Sequence, residues 1–282
     1  MSEERPTVEK TYKLFLGGKF PRTESGRSYV PAGAPGVHVC RASRKDLRDA
    51  VVAGRKAGAD WAGRTGYNRG QILFRLAEML EARKDALLRE ILAGAPGVDA
   101  DEAWADVEAA VDLTAWYAGI PDKLGALLGS QNDVAGPFFA FSTVEPQGVV
   151  GVIAPDTPFL TDLLALLLAP LAGGNAVIGL VSERSPLVGL ALGEACAPPA
   201  VPGGAIQLLS GLRDELLPEF ASHRDLDGLL VAGDPDAAVG RAAAGSVKRV
   251  RFAPAWSGPA PRRLDWIEAF VETKTFWHPV AP

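Results

Sequence analysis

The groups of this 282-residue chain best suited to nucleophilic, metal-binding or proton-transfer chemistry are two cysteines, Cys40 and Cys196, and three histidines, His38, His223 and His278. A thiol attacks carbonyl carbon as its thiolate, which needs a neighbouring base or cation. Cys40 follows short N-terminal extended segments, and Cys196 ends a helix-like run of small and apolar residues. Those places make each a small structural or surface residue, and since two thiols build no disulfide framework the expected compartment is the reducing cytosol. The histidines are scattered without ligand spacing, which argues against a metal site. Any further chemistry must come from loops that the fold gathers together.

Length and charge bound the setting. The chain is long enough for about two domains, and it is 48% hydrophobic and 22% charged, ordinary for a globular protein. Its net charge of −5 leaves no basic excess for phosphates, so neither nucleic acid nor a membrane surface is an expected partner. The opening Met1-Ser-Glu-Glu-Arg-Pro has no apolar core, so no secretory signal is expected there. Phe159–Val181 is apolar apart from Asp162 and long enough to span a bilayer. Pro170 and Gly173-Gly174-Asn175 interrupt it, which predicts a helix followed by a buried strand.

The elements that would position a site follow from periodicity. Tyr12–Phe20 reads as strand, Gly-Gly turn and strand. Ser43 with Asp46 three residues on predicts a capped helix start. Ile72, Leu76, Leu80, Leu87 and Ile91 form one apolar stripe, read as a single helix ending at Gly94 and Pro96. A third helix is expected from Asp101 to Gly119. From Gly148 the rhythm changes to apolar strands at 149–154, 176–181, 205–209, 228–232 and 247–252, with helices between them. Strands buried on both faces and separated by helices predict an α/β fold, a Rossmann-like open parallel sheet with helices on both faces. Ligands of such sheets sit at the carboxyl ends of the strands. The candidate loops are therefore Pro155–Pro158, Ser182–Pro186, Ser210–Arg213 and Gly233–Val239.

Two pieces stand outside that sheet. Phe138–Val144 reads as an extended arm, and Val271, Thr273, Thr275 and Trp277 alternate with Phe270, Glu272, Lys274 and Phe276 as a two-sided strand. Between sheet and strand lies a Pro-rich run, Ala253-Pro-Ala-Trp-Ser-Gly-Pro-Ala-Pro, with no expected element.

Taken in order, these segments resemble the aldehyde dehydrogenase superfamily. Glu145-Pro-Gln-Gly-Val-Val-Gly-Val-Ile-Ala-Pro is similar to its "P-x-G-V-V-G-V-I" strand and loop. Ala169-Pro-Leu-Ala-Gly-Gly-Asn-Ala-Val resembles "A-x-x-A-G-N-x-V", Ser182-Glu-Arg-Ser-Pro "S-E-x-[ST]-P", and Pro202–Gly211 "P-G-x-x-x-x-x-x-G". Glu272-Thr-Lys-Thr-Phe-Trp resembles the final strand. The resemblance implies a nucleotide-binding α/β domain from 1–131 and 148–252. It implies a bridging, oligomerising β element from 132–147 and 262–282, with 253–261 as a junction in place of the catalytic domain.

What the resemblance leaves uncovered matters as much. Ala253 stands where the family carries its general-base glutamate, and about 150–200 residues with the nucleophilic cysteine, one domain's worth, have no counterpart. The oxyanion asparagine corresponds to Thr157. Autonomous aldehyde oxidation is therefore not expected. NAD or NADP is the implied cofactor, bound weakly or not at all, with no metal. Its candidate contacts are Pro155, Thr157, Glu183, Gly211 and Gly233. The ribose-binding lysine corresponds to Leu180, and a serine beside the pyrophosphate to Asp234, whose charge opposes phosphate. Glu183 reads equally as a solvated turn residue, Asp234 as a helix cap, and the glycines as turn formers. In the family the arm and final strand dock on a neighbouring subunit. The implied role is thus a non-catalytic subunit of a full-length aldehyde dehydrogenase, with a homodimer as another assembly. A nucleotide-sensing module and an oxidoreductase subunit of a larger complex are the alternatives.

Overall fold

In the computed structural model, residues 10–197, 201–256, 258 and 261–280 are described. The first six residues, read above as lacking a secretory signal, and Ser257, Pro259 and Ala260 of the Pro-rich junction lie outside them. An antiparallel pair comes first, β1 (Ser28–Tyr29) and β2 (Val39–Cys40). Helices α1 (Arg44–Gly63), α2 (Gly66–Glu81), α3 (Lys84–Gly94), α4 (Ala100–Ala118) and the short α5 (Leu124–Leu128) follow. Next are β3 (Ser130–Asn132) and β4 (Phe138–Pro146). The alternating part runs β5 (Val149–Ile153), α6 (Leu160–Ala172), β6 (Ala176–Leu180), α7 (Leu187–Cys196) and β7 (Ile206–Leu209). It continues with α8 (Arg213–Ser222), β8 (Gly228–Ala232), α9 (Ala237–Ala244) and β9 (Arg249–Ala253). Last come α10 (Leu264–Glu268) and β10 (Val271–Pro279).

Five of these strands form one parallel sheet in the order β7-β6-β5-β8-β9. Every residue of β5, β6, β7 and β8 is buried, which is why they read as continuous apolar runs. The chain steps outward from β5 to β7, then crosses back to β8, so the order reverses between β5 and β8. A crevice opens at such a reversal, beyond the carboxyl ends of the strands.

The expected capping box holds. Ser43 Oγ accepts from the Asp46 amide at 3.3 Å, and Asp46 Oδ2 accepts from the Ser43 amide at 2.7 Å. The single helix read through Ile91 is instead two. The Ala82 amide bonds Glu78 O and Leu80 O, tightening the last turn of α2, and Arg83 leaves helical geometry before α3 restarts. The Tyr12–Phe20 hairpin shrinks to isolated bridges: Leu16 and Lys19 pair, while Phe15 exchanges two 2.9 Å bonds with Leu208 along the outer side of β7. Helix α10 had no counterpart in the sequence reading. Its Trp266 and Ile267, with Phe270, are buried in the main apolar core.

A second sheet, β10-β4-β3, is antiparallel, with Val271 opposite Pro146 and Pro279 opposite Phe138. Asn175, fully buried, ties it to the parallel sheet. Its Oδ1 accepts from the Gly148 amide (2.8 Å), and its Nδ2 donates to Pro170 O and Phe270 O (2.9 Å each). Among the described residues no helix is long and apolar enough to cross a membrane; the apolar run 159–181 is α6 followed by β6.

Candidate functional site

The four loops expected to carry a ligand do converge, at the carboxyl ends of β5, β6, β7 and β8. Pro155 and Thr157 leave β5, Glu183 follows β6, Gly211 follows β7 and Gly233 follows β8. Gly211 packs closely: a Cβ there would lie 2.7 Å from Leu216 Cδ1. Gly233 takes φ +111°, which side chains disfavour, and its amide bonds Ala253 O at 2.7 Å.

The residue that decides the shape of this end is Arg213, the first residue of α8. Its guanidinium donates to Ala154 O (3.2 Å) and to Ala232 O (2.8 Å), bridging the ends of the two strands that flank the reversal. Its amide donates to Glu183 Oε2 at 2.7 Å. Glu183 is therefore neither free in solvent nor turned toward an open ribose site; it caps a helix whose N-cap, Leu212, offers no side chain. Asp156 is engaged as well, accepting from Ser182 Oγ (2.7 Å) and the Arg184 amide (2.9 Å).

Helix N-termini are ordinarily the anion sites of such a crevice. Here three of them already face the protein's own carboxylates. Glu183 serves α8, Asp106 serves α6 through the Leu160 (2.7 Å) and Thr161 (3.3 Å) amides, and Asp236 serves α9 through the Ala238 amide (2.7 Å). The cap considered for Asp234 thus falls on Asp236, and Asp234 is exposed. Burial pushes the Asp106 carboxyl up to about 6, against the pull of its three donors. Asp162 is also held above the usual carboxylate range, by burial first, with the Thr157 hydroxyl (2.7 Å) and the Trp256 indole pulling the other way.

Two small chambers meet at Arg213 and Asp156. One, about 210 Å³, is lined by Pro155, Thr157, Asp162, Gly233, Ala253 and Trp256. The other, about 40 Å³, lies against Leu180, Glu183 and Gly211. Sites for ligands of cofactor size usually offer about 300–1,000 Å³. A wider hollow of about 740 Å³ lies elsewhere, at β1 and β2, and opens to solvent beside Arg22, Arg27 and His38. Both cysteines are buried, and burial pushes the Cys196 thiol up to about 12. Among the described residues no cluster of three metal-ligating side chains occurs.

A sequence profile of the aldehyde dehydrogenase family matches residues 22–253. The chain belongs to that family. It is 31% identical over 243 residues to human retinal dehydrogenase 2, covering 82% of this chain and 46% of the relative. With cytosolic aldehyde dehydrogenase 1 of Elephantulus edwardii it shares 30% over 258 residues, 84% of this chain and 49% of the relative. In fold it is similar to the betaine aldehyde dehydrogenase of Staphylococcus aureus solved in complex with NAD+: TM-score 0.78 and 22% identity, covering 86% of this chain and 50% of the other. The chain spans about half the length of the relatives it matches.

The α/β nucleotide-binding architecture of the family is therefore present, with its strands and switch point intact. The residues at that point do not fit a dinucleotide as they stand. The strand-end carbonyls are held by Arg213, three helix N-termini face internal carboxylates, and the space is divided. Sequence reasoning missed Arg213, although a signal existed: a cation on the first residue of a helix opposes the helix dipole and calls for a local explanation.

Proposed function

We propose that this chain is a non-catalytic aldehyde dehydrogenase-like subunit that docks on a full-length member of the family, in the reducing cytosol, through its three-stranded sheet. The observation that carries this reading is the outer end of that sheet. Among the described residues strand β10 is an edge strand paired only with β4, and on and beside it Phe138, Phe139, Phe276, Trp277 and Val280 are all exposed. Large exposed apolar patches mark interaction sites, and an open strand edge is a template for strand addition. The ring pairs Phe141–Phe276 (5.1 Å) and Phe138–Trp277 (5.8 Å) hold the patch in a preset shape. The buried thiols and the occupied crevice support a role in assembly rather than in aldehyde chemistry.

The test is co-expression with a full-length aldehyde dehydrogenase from the same cell, followed by size-exclusion chromatography with light scattering. A complex larger than either chain is expected, and Phe139→Ser with Trp277→Ser should abolish it. A chain that elutes as a monomer beside every full-length relative overturns the reading, as does a stable homodimer that ignores them.

A further inference from the structure

The crevice between β5 and β8 is the place where this architecture takes its ligand, and here one of the chain's own side chains stands in it. Arg213 Nη1 and Nη2 reach carbonyls from two different strands, 3.2 Å from Ala154 O and 2.8 Å from Ala232 O. Arg213, together with Asp156, lines both chambers, and its guanidinium is the group that spans from one strand end to the other. Glu183 fixes the other end by accepting from the Arg213 amide at 2.7 Å. Side chain and main chain are thus latched at three points, all within the crevice.

We infer that Arg213 is an internal plug that excludes dinucleotides from the switch-point crevice and that its removal reopens the site to them. The physical reason is twofold. A dinucleotide lying across the strand ends must displace the guanidinium, leaving two buried carbonyls without donors, which is costly. Its phosphates must also approach helix N-termini whose positive ends are already met by Glu183, Asp106 and Asp236. Gly211 and Gly233 carry no side chain, and Asp156, the other residue common to both chambers, is held aside by Ser182 Oγ and the Arg184 amide. Of these two obstacles the guanidinium is the one that a single substitution removes. The inference is independent of docking, since the three-stranded sheet is a separate layer; either can fail without the other.

The experiment is calorimetric titration of the full chain with NAD+ and, separately, with AMP as the adenylate half. Wild type is expected to give no saturable binding below about 1 mM. Arg213→Ala, with its fold checked by circular dichroism, is expected to bind NAD+ at least about tenfold more tightly than wild type. Arg213→Met keeps the aliphatic stem and loses the guanidinium, and should gain less. It serves as the second variant where alanine destabilises the sheet end. Saturable micromolar binding by wild type overturns the inference on its own, because Arg213 would then be a phosphate ligand. Folded Ala and Met variants that bind no better than wild type overturn it too, since the obstruction would lie elsewhere.

Discussion

The carboxyl end of the parallel sheet and the outer end of the three-stranded sheet treat their polar and apolar groups in opposite ways. At the first, the strand-end carbonyls of Ala154 and Ala232 have a donor from Arg213, and Glu183, Asp156 and Asp106 all accept bonds from the protein itself. At the second, Trp277 is 59% and Phe139 43% exposed beside an edge strand. In a fold that commonly takes small molecules at the first location, this chain has satisfied that location internally and left its unmet surface at the second. A surface of unpaired strand edge and aromatic rings fits another polypeptide better than a nucleotide. The contrast makes the protein's binding potential a matter of where groups remain unmet, not of which elements are kept.

The largest effect that could break this contrast is expected at Asn175, where the two regions meet. Asn175→Ala leaves the Gly148 amide without its acceptor and takes one donor from each of the Pro170 and Phe270 carbonyls, which keep the main-chain amides of position 175 and of Gln147. The orphaned amide costs about 1–3 kcal/mol and each of the two lost bonds about 1 kcal/mol, so a total near 4 kcal/mol is expected in urea unfolding at pH 7. A loss below about 1 kcal/mol would mean that the two sheets are not joined through this side chain. Next in size is the pH response of Asp106. Its carboxyl is raised from its ordinary value to about 6, so the folded state holds a proton that the unfolded chain has already released. Stability from this group is complete below about pH 4 and is lost as pH rises through about 6, by roughly 3 kcal/mol at 1.36 kcal/mol per unit. Asp106→Asn should flatten the stability profile across that window. An unchanged profile would show that the α6 cap is not the titrating group.

A smaller effect probes the internal satisfaction of the crevice. Glu183→Ala removes the acceptor at the first amide of α8, whose N-cap Leu212 supplies none. Losing a cap of this kind costs about 1 kcal/mol, and Glu183→Gln, which keeps an acceptor oxygen, should recover most of it. Equal losses in the two variants would mean that charge, not the hydrogen bond, is what Glu183 contributes.

Much of this was legible in the sequence, and the parts that were not share a cause. Strand β8 and helix α7 fall where the apolar runs place them, because burial on both faces leaves a local signature. The capping box at Ser43 is likewise local. The break between α2 and α3 was hidden because Leu87 and Ile91 continue the apolar stripe in phase across it, and both are buried as the stripe requires. Helix α10 is a short element behind prolines, held by Trp266 and Ile267 reaching a core formed far earlier in the chain. Arg213 was illegible for the same reason: its partners are carbonyls 59 and 19 positions away, and backbone carbonyls have no sequence signature. The helix cap considered at Asp234 falls two residues on, at Asp236, a difference finer than periodicity resolves.

The smallest expected change is the sharpest test of the outer end. Trp61 and Trp277 are the same residue type in opposite settings. Trp61 is fully buried and its Nε1 donates to Leu171 O at 3.0 Å, whereas Trp277 stands 59% exposed against Phe138. Truncating the first empties a filled core site and removes one of the bonds to Leu171 O, for which losses of about 3–5 kcal/mol are typical. Truncating the second removes little burial, so Trp277→Ser should shift unfolding by no more than about 0.5 kcal/mol. Phe139→Ser should behave alike, since Phe139 is 43% exposed, with its ring 5.5 Å from that of Phe141 on the same strand. If either substitution costs as much as one in the core, the ring cluster is holding the small sheet together, and its exposure is no longer a sign of an absent partner. If both are silent in stability yet reduce self-association or complex formation, the rings are present for contact with another chain, and the asymmetry between the two ends of the molecule is functional.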